Sequence, residues 1–325
     1  MTTEPTPGTA GWPPPVLDPA GPFAGPIEVV AWVLFVMAAV VMTVVLIALG
    51  IALFGPRRWK RRVSGERLVW IGGLAFPIVV LTGLLIYGLT TTARVAEAPR
   101  PGEMRVRVTG EMWWWRVAYL DDRGREILQD ANEVHIPAGQ PVVFELESAD
   151  VIHSFWVPRL GGKTDMIPGR RNFMRLQADQ PGTYGGQCAE YCGGPHALMG
   201  LVVVAHTPQD FAAWRARQAG PAVALDAAAP TAAMIARGRD VFAASGCGAC
   251  HTIRGTEANG LAGPDLTHVG SRQTIGAGIL PNNQGTLAGW ISDSQGVKPG
   301  NRMPSYPVLT GQDLRAVSAY VDSLK

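Results

Sequence analysis

Apolar residues gather into two uncharged runs near the N-terminus, Val29 to Gly55 and Leu68 to Ala93. Each run, as a helix rising about 1.5 Å per residue, is long enough to cross a hydrocarbon core about 30 Å thick. The pattern therefore predicts a transmembrane helix hairpin over residues 27–94, with Pro77 inside the second helix, where a membrane helix tolerates it. Between the runs lies Arg57-Arg58-Trp59-Lys60-Arg61-Arg62, whereas the preceding tail has no Lys or Arg. That asymmetry predicts a cytoplasmic connection with both chain ends outside. Residues 1–26, rich in Pro, Gly and Thr, read as a disordered tail and lack the basic start and short apolar core of a secretory signal.

Beyond Arg94 the pattern shifts to short β-rich runs: Met104 to Val108, Trp113 to Tyr119, Glu133 to Ile136, Pro141 to Glu147, Phe173 to Leu176 and Leu201 to Ala205. Turn signals such as Asp122-Arg123-Gly124 and Gln180-Pro181-Gly182 separate them, which predicts an all-β sandwich or barrel over 95–206. Strand alternation would put two rings of Trp113-Trp114-Trp115 on one face and the third on the other. Thr207-Pro208-Gln209-Asp210 is a capping box that opens a short helix, followed by an Ala- and Pro-rich linker to residue 230. Residues 231–325 read as all-helical, with helices over about 231–245 and from Thr310 to Leu324.

The formal net charge is only +2 and there is no long basic block, which argues against nucleic acid as a partner. Six histidines occur, the first at position 135, so this chain cannot itself hold haem within the bilayer. Four cysteines fall into two close pairs, leaving none for structural bridges elsewhere.

The first pair lies in Cys188-Ala-Glu190-Tyr-Cys192-Gly-Gly-Pro-His196-Ala-Leu-Met199, with a further imidazole upstream at His153. Thiolate, thioether and imidazole together point to copper, zinc or iron rather than to magnesium or calcium. The alternative is a disulfide between Cys188 and Cys192, which an extracytoplasmic location permits. The second pair, Cys247-Gly-Ala-Cys250-His251, is the c-type haem attachment motif, in which both thiols add to the haem vinyl groups and the histidine ligates iron. For the opposite face of that haem the candidates are Met303 and His268, with Met303 preferred. His135 and His206 lack such flanking patterns and read as structural, and Met166 and Met174 as packing.

The spacing Cys-x-Glu-x-Cys-x-x-x-His-x-x-Met resembles the copper A loop of cytochrome c oxidase subunit II. The resemblance covers about Ile27 to His206, including the flanks of His153 and the stretch Leu160 to Arg170. It implies a cupredoxin fold in which Cys188 and Cys192 bridge two copper ions and His153 and His196 cap one each. Met199 would be a weak axial ligand and Glu190 would give a backbone carbonyl to copper. The Glu190 side chain would reach an Mg or Mn ion shared with subunit I. The resemblance also implies that Trp113 carries incoming electrons. It sets Glu66 near the mouth of a proton pathway, although a helix-end carboxylate balancing Arg67 explains that residue as well.

Residues from about Ala232 to Lys325 resemble a class I cytochrome c, in which the first and last helices cross. Gly238 would allow their close approach, Phe242 and Tyr320 would pack at the crossing, and Pro264 would support His251. The whole chain is thus similar to subunit II of a bacterial caa-type oxidase. That similarity implies covalent haem c and copper A as cofactors, with an electron-input role in the reduction of oxygen to water. It implies subunits I and III as membrane partners, and a quinol-cytochrome c reductase or cytochrome c as donor. The location would be the bacterial plasma membrane, with the redox domains on the periplasmic face. A linker-tethered donor would act at an effective concentration of about millimolar. The rival readings are the electron-input subunit of a nitric oxide reductase and a membrane-anchored copper carrier.

Overall fold

The computed structural model describes residues 13–63, 65–95, 100, 102–222 and 230–325, which divide into two units: Gly25–Glu97, and the rest. In the first unit α1, Gly25–Phe54, is apolar on every face and buries none of its residues within the chain, as suits a helix whose neighbours are lipid tails. The basic cluster forms a short helix, α2, Arg57–Val63. Helix α3, Glu66–Trp70, passes through a π-helical turn, Ile71–Ala75, into α4, Phe76–Val95. Pro77 accounts for that turn, because it has no N–H to donate to the Gly73 carbonyl and its ring crowds it, so the backbone widens just upstream. Two segments, Gly25–Phe54 and Glu66–Thr90, are long and apolar enough to span a membrane. Glu66 accepts a hydrogen bond from the indole N–H of Trp70 one turn along, at 3.3 Å.

In the second unit, strands β1 (Met104–Glu111), β2 (Trp114–Leu120), β3 (Glu126–Ala131), β4 (Glu133–Pro137) and β5 (Val142–Ser148) are followed by β6 (His153–Trp156), β7 (Thr164–Met166), β8 (Asn172–Leu176), β9 (Gly182–Cys188) and β10 (Gly200–His206). They form two five-stranded sheets, ordered β3-β2-β1-β5-β8 and β4-β10-β9-β6-β7. Inward residues of both, among them Val106, Val108, Phe144, Leu146, Phe155 and Val203, are fully buried between them. This is the expected cupredoxin-like sandwich. Met166 and Met174 lie in its core, as expected of packing residues.

Four strands, β3, β6, β7 and β9, are absent from the sequence-based expectation. Strand β9 reads as loop because of Gly182, Gly185 and Gly186, yet Gly186 is required there: a Cβ would lie 2.8 Å from the Trp156 carbonyl and 2.9 Å from Leu201.

Part of the segment expected to be disordered is instead seated on the sandwich. Ala20 donates to the Arg159 carbonyl (2.7 Å) and accepts from the Asp179 N–H (2.9 Å), and Asp18 pairs with Arg159 at 2.9 Å. The missing side chain of Gly21 lets its backbone lie directly on the Gln177 carbonyl. Residues 1–12 of that expectation lie outside the described residues.

Helix α5, Pro208–Ala219, begins as expected, with the Thr207 hydroxyl accepting from the Asp210 N–H and Phe211 and Trp214 buried on the sandwich. Residues 223–229 of the expected linker lie outside the described residues. The last domain contains α6 (Ala232–Ala244), the two-residue strands β11 (Thr274–Ile275) and β12 (Leu280–Pro281), α7 (Gln284–Ser292), α8 (Ser294–Val297) and α9 (Gly311–Ser323). Helices α6 and α9 cross where a Cβ on Gly238 would collide with the Ala316 carbonyl and the Tyr320 side chain. Beside the crossing, Phe242 and Tyr320 meet edge to face with centroids 5.7 Å apart.

This helical domain sits directly on the sandwich. Arg272 pairs with Asp130 at 2.7 Å, both nearly buried. The Gln273 N–H donates to Glu133 (2.8 Å), and the Gly200 N–H donates to the Ala277 carbonyl (2.9 Å). Charge pairs and backbone hydrogen bonds thus fix the two domains face to face, a contact that the expectation of a linker-tethered donor did not include.

Candidate metal centre

His153 opens β6, Cys188 closes β9, and the loop between β9 and β10 carries Glu190, Cys192, His196 and Met199. Because β6 and β9 are paired, Phe155 opposite Cys188, the first imidazole lies beside the first thiol. The sulfurs of Cys188 and Cys192 are 3.8 Å apart and not bonded to each other. Around them stand His153 Nδ1 (3.9 Å from Cys188), His196 Nδ1 (3.5 Å from Cys192), Met199 Sδ (3.9 Å from Cys192) and the Glu190 carbonyl oxygen (3.2 Å from Cys188). The ligand atoms of His153, Cys188 and Cys192 all lie within 4.8 Å of one another, and all three residues are buried. Every residue picked from the spacing thus converges on one point, while the Glu190 side chain is exposed.

The electrostatics fit a cation. The hydrogen bond to Cys192 pulls the Cys188 thiol down to about 3 against the opposing effect of burial, and the same bond pushes Cys192 strongly upward. One proton is thus held between two sulfurs, and a soft metal would replace it. Burial works against a charged His153, yet hydrogen bonds to Cys188 and Asp150 outweigh it and raise this group. Asp150 Oδ1 lies 2.9 Å from His153 Nε2. A carboxylate can only accept, so Nε2–H points to Asp150 and Nδ1 is the ring atom turned to the sulfurs, the one a metal would take. Gly110 makes room for this ring, since a Cβ there would lie 2.7 Å from His153 Cδ2. The orienting roles of Asp150 and Gly110 escape a sequence reading, because each depends on where the His153 ring points once the sandwich has folded.

Trp113 departs from expectation: it leaves the strand and occupies the turn between β1 and β2. Its indole N–H donates to the Cys192 carbonyl at 2.8 Å, and its ring lies against Gly193 and Gly300. The other two rings part as well. Trp115 is fully buried and donates to the Gly200 carbonyl at 3.0 Å, and Trp114 carries the Arg116 guanidinium 4.7 Å above its ring.

A cavity of about 270 Å³ lies beside this loop, lined by Cys247, Cys250, His251, Met303 and Trp113. His251 Nδ1 is 2.8 Å from the Pro264 carbonyl. Nδ1 therefore carries the proton and Nε2 is left as the ligating atom, while burial lowers the group and keeps the ring neutral. Gly263 lies flat on this ring. Met303 Sδ accepts from the Trp290 indole at 3.1 Å. His268 does not line the cavity; its Nε2 lies 3.1 Å from the Gly220 carbonyl. The remaining histidines are structural, with His135 Nδ1 2.7 Å from His206 Nε2 and its ring stacked 4.2 Å from Trp214.

Two membrane-length helices, a cupredoxin-like sandwich with a buried sulfur and imidazole cluster, and a helical domain around a Cys-x-x-Cys-His cavity define a membrane-anchored redox protein. Residues 118–206 match the family of the periplasmic domain of cytochrome c oxidase subunit II, and residues 235–325 match the cytochrome c family. The cytochrome c oxidase subunit 2 of Alkalihalophilus pseudofirmus is 37% identical over 326 residues, covering 95% of this chain and 90% of that one. That of Bacillus sp. strain PS3 is 31% identical, covering 82% and 76%. The solved periplasmic domain of subunit II from Bradyrhizobium japonicum is 29% identical and covers 38% of this chain and 96% of that one, with a TM-score of 0.34. The chain belongs to the cytochrome c oxidase subunit 2 family and carries a C-terminal cytochrome c domain. It is an oxidoreductase subunit with an electron-input role.

Proposed function

We propose that this chain receives electrons at a covalent haem c and passes them through a dinuclear copper A centre to haem in subunit I, where oxygen is reduced to water. The observation that carries this reading is the position of Trp113, which lines the Cys247–Met303 cavity and donates to the backbone of Cys192. Cys188 and Cys192 would bridge two copper ions, with His153, His196, Met199 and the Glu190 carbonyl completing the set. Bound there, such a centre takes up a single electron spread over both ions.

The chain's own contribution is rigidity. Asp150 fixes the His153 ring, Pro264 fixes the His251 ring, and Trp113 joins the two sites through one side chain and one hydrogen bond. Fixed ligands keep the geometry unchanged between redox states. That suits relay of electrons, and it argues against a carrier that must release its metal.

In this reading Cys247 and Cys250 would hold the haem covalently, and His251 and Met303, which line the same cavity, would supply ligands to its iron. The exposed Glu190 side chain is available to an Mg or Mn ion shared with subunit I. The protein would span the bacterial plasma membrane twice, with its redox domains on the periplasmic face. It would assemble with subunits I and III and take electrons from a cytochrome c or a quinol-cytochrome c reductase.

The test is electron spin resonance and metal analysis of the complex, together with oxygen uptake supported by reduced cytochrome c. A two-copper signal with the electron delocalised over both ions, one covalent haem per chain and oxygen uptake are expected. A single-copper signal would overturn the reading.

A further inference from the structure

Lys298 is 2% exposed, one of the largest fully buried side chains, and has no carboxylate partner among the described residues. Its Nζ instead donates to three backbone carbonyls: Trp113 (2.6 Å), Leu198 (2.7 Å) and Gly276 (3.0 Å). Three acceptors match the three hydrogens of an ammonium, whereas a neutral amine would leave one of them unmet. A buried lysine is costly and is retained where its charge or its hydrogen bonds serve a purpose. Burial pulls this one down to about 7.

The three carbonyls belong to three segments that the proposed electron path has to hold together. Trp113 joins the cavity to Cys192. Leu198 immediately precedes Met199. Gly276 lies at the tip of the β11–β12 hairpin, next to Ala277, whose carbonyl holds the Gly200 N–H. Lys298 itself begins the segment Lys298-Pro-Gly-Asn-Arg-Met303, and Asn301 in that segment accepts from the Met303 N–H at 2.8 Å.

We propose that Lys298 is a positioning residue for electron transfer between the two redox sites. Its ammonium locks the loop of Met303 onto Trp113 and onto the loop of Met199, and it sets a positive charge beside the copper site that raises the midpoint potential there. The inference rests on the haem-to-copper reading above. A positive charge in a medium of low polarity favours the reduced, more negative form of a neighbouring centre. Removing it therefore lowers the potential.

The experiment uses the assembled oxidase with Lys298→Met, Lys298→Gln and Lys298→Arg, beside Arg272→Gln as a change at the same domain seam away from the sulfurs. Four readouts apply: the copper spin-resonance spectrum, the copper midpoint potential, the rate of haem-to-copper equilibration after flash photoreduction, and hydrogen exchange at the Met199 and Gly200 amides. Lys298→Met is expected to lower the potential, alter the copper spectrum, speed that exchange and slow equilibration by about tenfold or more, since small displacements cost large factors in rate. Lys298→Gln keeps donors without the charge, so it lowers the potential with a smaller loss of rate, and Lys298→Arg restores the potential. Arg272→Gln loosens the seam but leaves potential and spectrum unchanged.

If Lys298→Met cannot be assembled, Lys298→Gln decides on the same readouts. A wild-type copper potential and spectrum in both uncharged variants overturns the proposal while the relay reading stands. Absence of the two-copper signal from the wild-type complex overturns that reading, and the role of Lys298 with it.

Discussion

Asp150 illustrates how much of the candidate copper site depends on residues outside its motif. Cys188, Cys192, His196 and Met199 are legible because they lie within one loop at ligand spacing. Gly110 and Lys298 are not, because their contacts with the site join segments remote in sequence, and Asp150, only three residues before His153, is not, because a carboxylate at that offset has no fixed partner until β6 sets the ring against it. Replacing Cys188 by Ser should abolish copper binding and leave the covalent haem intact, which metal analysis and the haem absorption spectrum will show. Asp150→Asn frees the His153 tautomer, and loss of such an orienting partner typically weakens metal affinity by about 10- to 100-fold, measurable by chelator competition. Trp113→Phe removes the hydrogen bond to the Cys192 carbonyl. It should lower stability by about 1 kcal/mol in denaturant unfolding and slow haem-to-copper equilibration.

At the scale of elements, the spans and the helix opened by Thr207 were legible from composition and capping chemistry, and the α6–α9 crossing from the resemblance to class I cytochromes c, with Gly238 as the small residue that permits it. The glycine-bearing β9 and the three-residue β7 were not, because tertiary packing rather than local propensity makes them strands. The place of Trp113 in a turn was hidden for a similar reason: three tryptophans in a row resemble a strand, and the contacts that hold the first one in the turn, to the Cys192 carbonyl, Gly193, Gly300 and Lys298, come from distant segments. Gly238→Val forces side-chain atoms into the Ala316 carbonyl and should cost about 3 kcal/mol, read from thermal unfolding of the cytochrome domain. At the tip of the β11–β12 hairpin, Ala277 has φ 68°, between Gly276 and Gly278 that are also left-handed. Ala277→Gly should be neutral or stabilising by up to about 1 kcal/mol, because glycine accepts that conformation without steric cost.

Across the whole molecule, the seam between sandwich and cytochrome domain was the least legible feature, since nothing in an Ala- and Pro-rich linker announces that the domains it joins are in contact. One weak point of the sandwich under acid lies close to that seam. Burial and the neighbouring His135 pull His206 down to about 4, from an ordinary value of 6.5. The unfolded chain therefore takes up a proton at this residue that the folded chain refuses, and stability falls as pH drops from about 6.5 toward 4. Melting temperatures measured across that window should decline, and His206→Gln should flatten the slope.

The backbone contact at Gly278, where a Cβ would meet the Gly200 carbonyl carbon at 3.2 Å, leaves no space for a side chain at the meeting point. A domain parked this closely has no search to perform before each electron moves. Internal transfer should then be indifferent to solvent viscosity, so that adding glycerol slows delivery from an external carrier but leaves the intramolecular phase of a stopped-flow trace unchanged.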